Sequence, residues 1–197
     1  MSTVFTNVLT FSSERSKMTS MNTQFKENIK KAIENFNLPT YDEIPDTGLY
    51  LDQTVQYVNR YLHIFPDLEV TPSMVSNYVK KGLIARSVKK LYYREQIAYL
   101  IFITFAKNVL SMDNIRLLFD IKNTSYASKK AYDYFRLELL NILEYVFEIK
   151  ENLETVGYDH TYEKMLLRNT IVSVSHKLYL EKVFNEVRIL KTEHLSE

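Results

Sequence analysis

The sequence predicts an all-α fold with one short β-hairpin, and three observations carry that prediction. The chain of 197 residues has only three glycines and four prolines, so few positions interrupt a helix. Apolar residues recur at spacings of three and four along most of the chain, as they do on one face of an α-helix. The stretch 85–94 lacks that spacing, and its alternation and β-forming residues indicate a hairpin.

The composition excludes several kinds of chemistry. The chain has no cysteine, so it has no disulfide, thiolate metal site or cysteine nucleophile. It also contains no glycine-rich phosphate loop, no H-E-x-x-H and no G-x-S-x-G. The longest apolar run, at 97–106, is too short to span a bilayer. We therefore expect a cytoplasmic protein that is not an enzyme, with no cofactor, metal or membrane partner.

The first fifty residues predict an arm, a helix and a connector. Residues 1–20 are rich in serine and threonine and lack both a helical period and a signal-peptide pattern, so we expect a disordered arm, with Met18 or Met21 as alternative start residues. A spacing of four, four and three predicts an amphipathic helix over 22–37. The connector that follows contains two prolines and a glycine. The apolar residues of the helix are Phe25, Ile29, Ile33 and Phe36.

Two helices with clear boundaries follow the connector. Asp52 is a candidate N-cap for the first, whose inner face is formed by apolar residues and which must end before Pro66. In the second, Thr71 is the predicted N-cap, and Pro72 occupies the first position, where its missing N–H costs nothing. Gly82 is suited to close this short helix over 72–81. The inner face of the first helix contains Val55, Val58 and Leu62.

The next segment combines the hairpin with two further helices. The hairpin at 85–94 places Lys89 and Lys90 at its tip. A helix with a broad apolar face then runs over 94–110. Ser111 begins a capping signal for another helix, which we expect to continue through Phe119.

The C-terminal part predicts a helical hairpin. From Tyr132, apolar residues alternate at spacings of three and four through Leu153, as in a heptad seam. A last helix is expected over 162–190, with Gly157 in the turn between the two. We expect the seam to form a homodimer interface, the alternative being the core of the hairpin itself. Its residues are Phe135, Leu139, Ile142, Val146, Ile149 and Leu153. Aromatic residues along the seam either line an effector pocket or belong to the core: Tyr132, Tyr134, Phe135, Tyr145 and Phe147.

Charge is distributed unevenly although the chain has a net charge of only +1. The stretch 71–107 contains seven basic residues and one acid, a charge of +6. The stretch 133–163 contains eight acids and two basic residues, a charge of −6. One part of the chain can therefore attract a polyanion that the other part repels.

The order of the predicted elements is that of a winged helix-turn-helix. The stretches "YVKKGLI" (78–84) and "YYREQIAYLIFITFAKNVLSMDNIRLLF" (92–119) resemble the DNA-binding head of MerR-type regulators. That family typically has Arg-Tyr-Tyr where this chain has Ser76-Asn77-Tyr78, so its base-reading arginine is not carried over. The stretches "LPTYDEIPDTGLYLDQ" (38–53), "TPSMVSNYVKKGLI" (71–84) and "KKLYYREQIAYLIFI" (89–103) resemble the bacterial domain-of-unknown-function family 1836.

These patterns predict a transcription regulator that binds double-stranded DNA. Asparagine can read adenine and lysine neutralises phosphate, so the helix at 72–81 and the wing at 85–94 supply the candidate contacts. We expect three parts: an arm over 1–20, a winged domain over 21–120 and a C-terminal hairpin over 121–197. The alternative is a helical adaptor whose basic patch docks an acidic protein. The candidate DNA-binding residues are Ser73, Ser76, Asn77, Lys80, Lys81, Arg86, Lys89, Lys90 and Tyr92.

Overall fold

The computed structural model describes residues 24–157 and 161–193, and these are mostly helical, which confirms the all-α prediction. The predicted arm at 1–20 lies outside the described residues. None of the helices in the described ranges is long and apolar enough to cross a membrane. The elements in chain order are α1 (24–31), β1 (Leu49–Tyr50), α2 (Leu51–Leu62), α3 (Pro72–Lys80), β2 (Leu91–Tyr92), α4 (Arg94–Ala106), α5 (Met112–Ser125), α6 (Ser128–Val146) and α7 (Tyr162–Glu193).

Helix boundaries differ from the predicted ones wherever a neighbouring element decides them. α1 gives way to turns at 32–35 and does not reach 37. Tyr50, and not Asp52, is the N-cap of α2, because Tyr50 is held in β1 and the helix starts directly after it. Its backbone N–H donates to the Gln53 side chain over 3.0 Å. Ser111 caps α5 as predicted, but α5 extends beyond Phe119 to Ser125.

Helix α4 is the centre of the molecule. It is apolar on every side, and ten of its residues are buried, as expected of a helix enclosed by protein. It packs against α2 on one side and against α6 and α7 on the other. One continuous core, which includes Val58, Ile101 and Leu139, therefore extends across the predicted boundary at 120/121.

The connector after α1 binds the N-terminal half of the fold to α6. The Tyr132 hydroxyl donates to the Pro39 carbonyl over 3.0 Å. The Arg136 guanidinium donates to the Leu38 carbonyl over 2.6 Å. These hydrogen bonds satisfy carbonyls of buried connector residues.

Helices α6 and α7 run parallel, so the predicted C-terminal helical hairpin is wrong. The Lys164 ammonium lies 5.1 Å from the Tyr134 ring centroid at the start of both helices. Further along, Arg168 Nε lies 2.9 Å from Glu138 Oε1. Nearer the end of α6, the rings of Phe147 and Tyr179 are 5.4 Å apart. Contact positions thus increase together along both helices, and the connection between them must run back along α6.

The predicted dimer seam is mainly part of the chain's own core. Phe135, Leu139 and Ile142 are at most 2 % exposed within a single chain, so they cannot also face a second copy. The helix ends at Val146, and Glu148 has a φ of +59°, which breaks the helical register. Ile149 and Leu153 lie beyond that break and are exposed. The heptad spacing therefore reflects burial against α4 and α7 and does not indicate a separate coiled-coil surface.

Candidate nucleic-acid interface

Helix α3 is fixed to the core by one face and exposes the other. Val75 and Tyr78 are buried, and burial raises the pKa of the Tyr78 hydroxyl. The Thr71 hydroxyl accepts the Met74 N–H over 3.3 Å, which caps the helix as predicted. At the other end Gly82 has a φ of +71°, the left-handed conformation that commonly closes a helix.

Two hydrogen bonds fix the start of α3 relative to α2. The Asn59 side chain on α2 donates to the Val70 carbonyl over 2.9 Å. It also accepts the Val70 N–H over 2.9 Å. Because Val70 directly precedes the cap residue of α3 and is 1 % exposed, this clamp sets how α3 is presented.

The exposed face of α3 contains every surface residue predicted for it. The Ser76 hydroxyl donates to the Pro72 carbonyl over 2.9 Å, and the Ser73 hydroxyl is 2.9 Å from that of Thr71. Within the described ranges the Asn77 side chain forms no hydrogen bond, so its amide is available to a ligand. The exposed predicted residues are Ser73, Ser76, Asn77, Lys80 and Lys81.

A two-residue turn displays Lys89 and Lys90. Val88 and Leu91 exchange backbone hydrogen bonds of 3.0 and 2.9 Å across it, and both lysines have positive φ, at +51° and +66°. Such a turn favours Asn-Gly, because positive φ costs other residues about 1–2 kcal/mol each. Two lysines therefore occupy positions where they destabilise the fold, a pattern that is typical of functional sites.

The strand pairing of this segment differs from the predicted hairpin. Val88 and Leu91 form only a single bridge. The partner strand of β2 is β1, which precedes α2, with Leu49 opposite Tyr92 and Tyr50 opposite Leu91. The turn is therefore joined to a small sheet that lies across the start of α2.

Gln96, near the start of α4, holds the base of the turn. Its side-chain amide donates to the carbonyls of Ala85 and Arg86 over 2.9 and 3.1 Å. Its amide oxygen accepts the Tyr93 N–H over 2.8 Å. A nearly buried side chain thus fixes the backbone on both sides of the turn, while the tip itself remains exposed.

Five cations of the +6 segment are exposed and have no ion-pair partner among residues 24–157 and 161–193. Arg94 differs, because it donates to the Ile44 carbonyl over 2.8 Å and lies 3.9 Å from Asp46. Lys107 is half-buried, and burial lowers its pKa. The positive field is therefore concentrated at α3 and the turn. The five cations are Lys80, Lys81, Arg86, Lys89 and Lys90.

Tyr92 does not belong to this surface. It is 8 % exposed because it points toward the core, and its prediction as a DNA-contacting residue is wrong. On the opposite face of the small sheet, Tyr50 is 57 % exposed and Val88 56 %. The alternation of side chains along a strand indicates that only one of the consecutive tyrosines Tyr92 and Tyr93 can face outward, but it does not indicate which one.

Arg116 is a further cation at this surface and is not among the residues predicted from the sequence. Its guanidinium donates to the carbonyl of Lys81, at the end of α3. It also lies 3.9 Å from Asp113. The only sequence signal that Arg116 faces outward was its position directly after the apolar Ile115 on a helix with a capping signal.

The fold and surface define a mostly helical protein whose short helix and lysine turn form one exposed basic region. Residues 39–135 match the model of a protein family described as Domain of unknown function (DUF1836). The match supports the resemblance to that family and includes α2 to α5 and the first part of α6. No curated protein and no solved structure matches the chain.

Proposed function

We propose that this protein is a transcription regulator that binds duplex DNA through α3 and the Lys89-Lys90 turn. The observation that carries the proposal is the group of five exposed cations on α3 and in the segment up to the turn, none of which has an ion-pair partner within the described part of the chain. Cations without carboxylate partners give a positive potential that phosphates can neutralise. A solvated helix with lysines near its C-terminus explains Lys80 and Lys81, but it does not explain two lysines in a strained turn.

The element order supports a winged helix-turn-helix arrangement. In such a domain a short helix enters the major groove, which is about 12 Å wide. Helix α3 has nine residues, a length of about 13 Å at ~1.5 Å per residue. The Lys89-Lys90 turn then lies along the phosphate backbone as a wing, and β1 pairs with β2 at its base. Phosphate contacts would set the register while the side chains of α3 read the bases.

The proposal includes a homodimer, because two linked heads bind a palindromic site more tightly than one head. The first half of the α6 seam cannot be the interface, since Phe135, Leu139 and Ile142 are buried in the single chain. Sedimentation equilibrium of the full chain tests this part on its own. If the measured mass at micromolar concentration is that of one chain, the protein is a monomer and binds a single DNA site.

Selection from a random pool of duplex DNA tests the proposal directly. The full chain should enrich a defined motif, and that binding should survive an excess of non-specific competitor DNA. The adaptor alternative gives the opposite result: weak, salt-labile binding of every sequence and no enriched motif. Sequencing of the bound DNA fraction distinguishes the two results.

The Asn77→Ala variant should relax base preference at one position of each half-site. The side-chain amide of Asn77 is exposed and free of intramolecular bonds within the described part of the chain, and a bidentate contact to adenine contributes about 1–3 kcal/mol of discrimination. Binding measured across a library of single-base variants of the selected site checks this result. Asn169→Ala, an exposed asparagine on α7, is the matched control and should not change the preference. An unchanged profile for Asn77→Ala would assign Asn77 to a phosphate contact or to none.

A further inference from the structure

A pocket of about 130 Å³ lies between α4, α5, α6 and α7. Its walls are mainly apolar and include aromatic rings from three helices: Tyr99 and Phe102 come from α4, Phe119 from α5, and Tyr134 and Phe135 from α6. None of the candidate DNA-binding residues lines it. Of the aromatic residues predicted either to line an effector pocket or to belong to the core, Tyr132, Tyr134 and Phe135 line this pocket, whereas Tyr145 and Phe147 do not.

The aromatic walls support one another and so give the pocket a defined shape. The rings of Tyr99 and Phe119 meet edge to face, 4.6 Å apart. Phe102 continues the contact, 5.5 Å from Phe119 and 5.1 Å from Phe135. Interlocked rings of this kind leave little freedom for the walls to collapse inward.

The charged residues that line the pocket are three lysines and two glutamates: Lys122, Lys130, Lys164, Glu95 and Glu163. Lys122 Nζ is 2.8 Å from the Tyr99 hydroxyl, 2.8 Å from Asn123 Oδ1 and 3.0 Å from Ser128 Oγ. All three acceptors are neutral, and among the described residues no carboxylate forms an ion pair with Lys122. Lys130 Nζ lies 5.2 Å from the Tyr126 ring centroid.

We infer that this pocket binds a small aromatic carboxylate with a single ring. An apolar cavity of about 150 Å³ accommodates one benzene ring, and this pocket has nearly that volume. A ligand carboxylate can replace one neutral acceptor of Lys122 and form a stronger, charge-assisted hydrogen bond. An aliphatic chain would fill the same volume, but it would lose the edge-to-face contacts that the surrounding rings offer.

The pocket is connected to the base of the lysine turn through Glu95. The Ser128 hydroxyl, which also contacts Lys122, donates to the Glu95 carboxylate. Glu95 precedes Gln96, which holds the backbone at Ala85 and Arg86. A ligand that draws Lys122 away from Ser128 therefore changes the bonding of the first turn of α4. The consequence for DNA affinity rests on the proposed function, whereas ligand binding itself does not.

Benzoate binding to the full chain without DNA tests the pocket, with isothermal titration as the measurement. The parent should bind one benzoate per chain. Ala131→Leu places a larger side chain at the pocket wall and should weaken benzoate binding at least tenfold. Ala127→Leu, just outside the pocket, is the matched control and should bind like the parent. No saturable binding by the parent, or equal binding by the Ala131→Leu variant, would overturn the inference.

Lys122→Met tests the charged part of the inference and leaves every aromatic side chain of the walls in place, although it removes the hydrogen bond to the Tyr99 hydroxyl. Benzoate affinity should fall at least tenfold, while the affinity for benzyl alcohol, which has the same ring without the charge, should change less than threefold. Equal losses for both probes would show that Lys122 supports the shape of the pocket and does not bind the carboxylate. The melting temperature of each variant verifies that it is folded.

The DNA step is measured separately so that its failure can be distinguished. Saturating benzoate should change the parent's affinity for a selected DNA site at least threefold and leave the Lys122→Met variant unaffected. If benzoate binds but leaves the DNA affinity unchanged, the result supports the binding site and contradicts its coupling to DNA binding. Absence of any DNA binding would contradict the proposed function alone, because the titration with benzoate needs no DNA.

Discussion

Replacing Lys89 by Asn and Lys90 by Gly should weaken DNA binding strongly while it makes the folded protein more stable. Both positions have positive φ, which Asn and Gly adopt at a lower cost than lysine. We expect unfolding by urea to show a gain of about 1 kcal/mol or more. The same substitutions remove two phosphate-binding charges per chain. The two effects have opposite signs, so lost binding cannot be attributed to lost structure.

The size of the binding effect follows from counterion release. If a dimer neutralises on the order of six to ten phosphates, affinity should fall about 10³- to 10⁵-fold between 50 and 200 mM salt. The double variant loses up to four of these contacts per dimer, and its affinity should fall only about 10- to 10³-fold over the same range. Fluorescence anisotropy with a labelled duplex at four salt concentrations measures both slopes.

The matched control is Lys30→Gln with Lys31→Gln on α1. These two lysines are also consecutive and have no ion-pair partner within the described ranges. Each double variant replaces two lysines by neutral residues, so both have the same net charge. The control should retain the parent's salt slope. A parent slope near zero, or equal effects of the two double variants, would contradict a phosphate contact at the turn.

Local signals in the sequence were sufficient to predict the α3 region. Thr71, Pro72 and Gly82 each act through the backbone of their own turn of helix, and the structure has them where the sequence placed them. The tip of the basic turn was predictable for the same reason. Its strand partner was not, because β1 is about forty residues away and neither two-residue strand has a pattern long enough to indicate its partner.

The C-terminal part shows why a correct period can give a wrong arrangement. The spacing from Tyr132 to Ile142 correctly indicates one buried helical face, but it continues to Leu153, beyond the end of the helix. Spacing does not identify what covers that face, and here α4 and the parallel α7 do so. Antiparallel pairing was the expectation for two helices joined by a turn. The connection of 15 residues, 147–161, is long enough to return along α6, and its length was the signal against a tight hairpin.

Ile142→Glu separates the two interpretations of the α6 seam, and its expected effect on stability is large. Ile142 is 1 % exposed in a single chain, so the carboxylate would replace well-packed apolar volume and would lie without a partner. Loss of the packing alone costs about 2–5 kcal/mol, and burial of the charge adds to that cost. Against a total stability of about 5–15 kcal/mol, most or all of the cooperative fold should be lost. Circular dichroism during urea unfolding measures the change.

Ile149→Glu is the control from the same predicted seam. Ile149 is 38 % exposed and lies beyond the end of α6, so its substitution should change stability by less than about 0.5 kcal/mol. A dimer seam predicts another pattern, in which both variants stay helical and sediment as monomers. If Ile142→Glu keeps the parent's unfolding midpoint and only dissociates a dimer, the burial of Ile142 by α4 and α7 is contradicted. If it unfolds while Ile149→Glu does not, α6 acts as a core helix, and any homodimer that binds a palindromic site must form through a different surface.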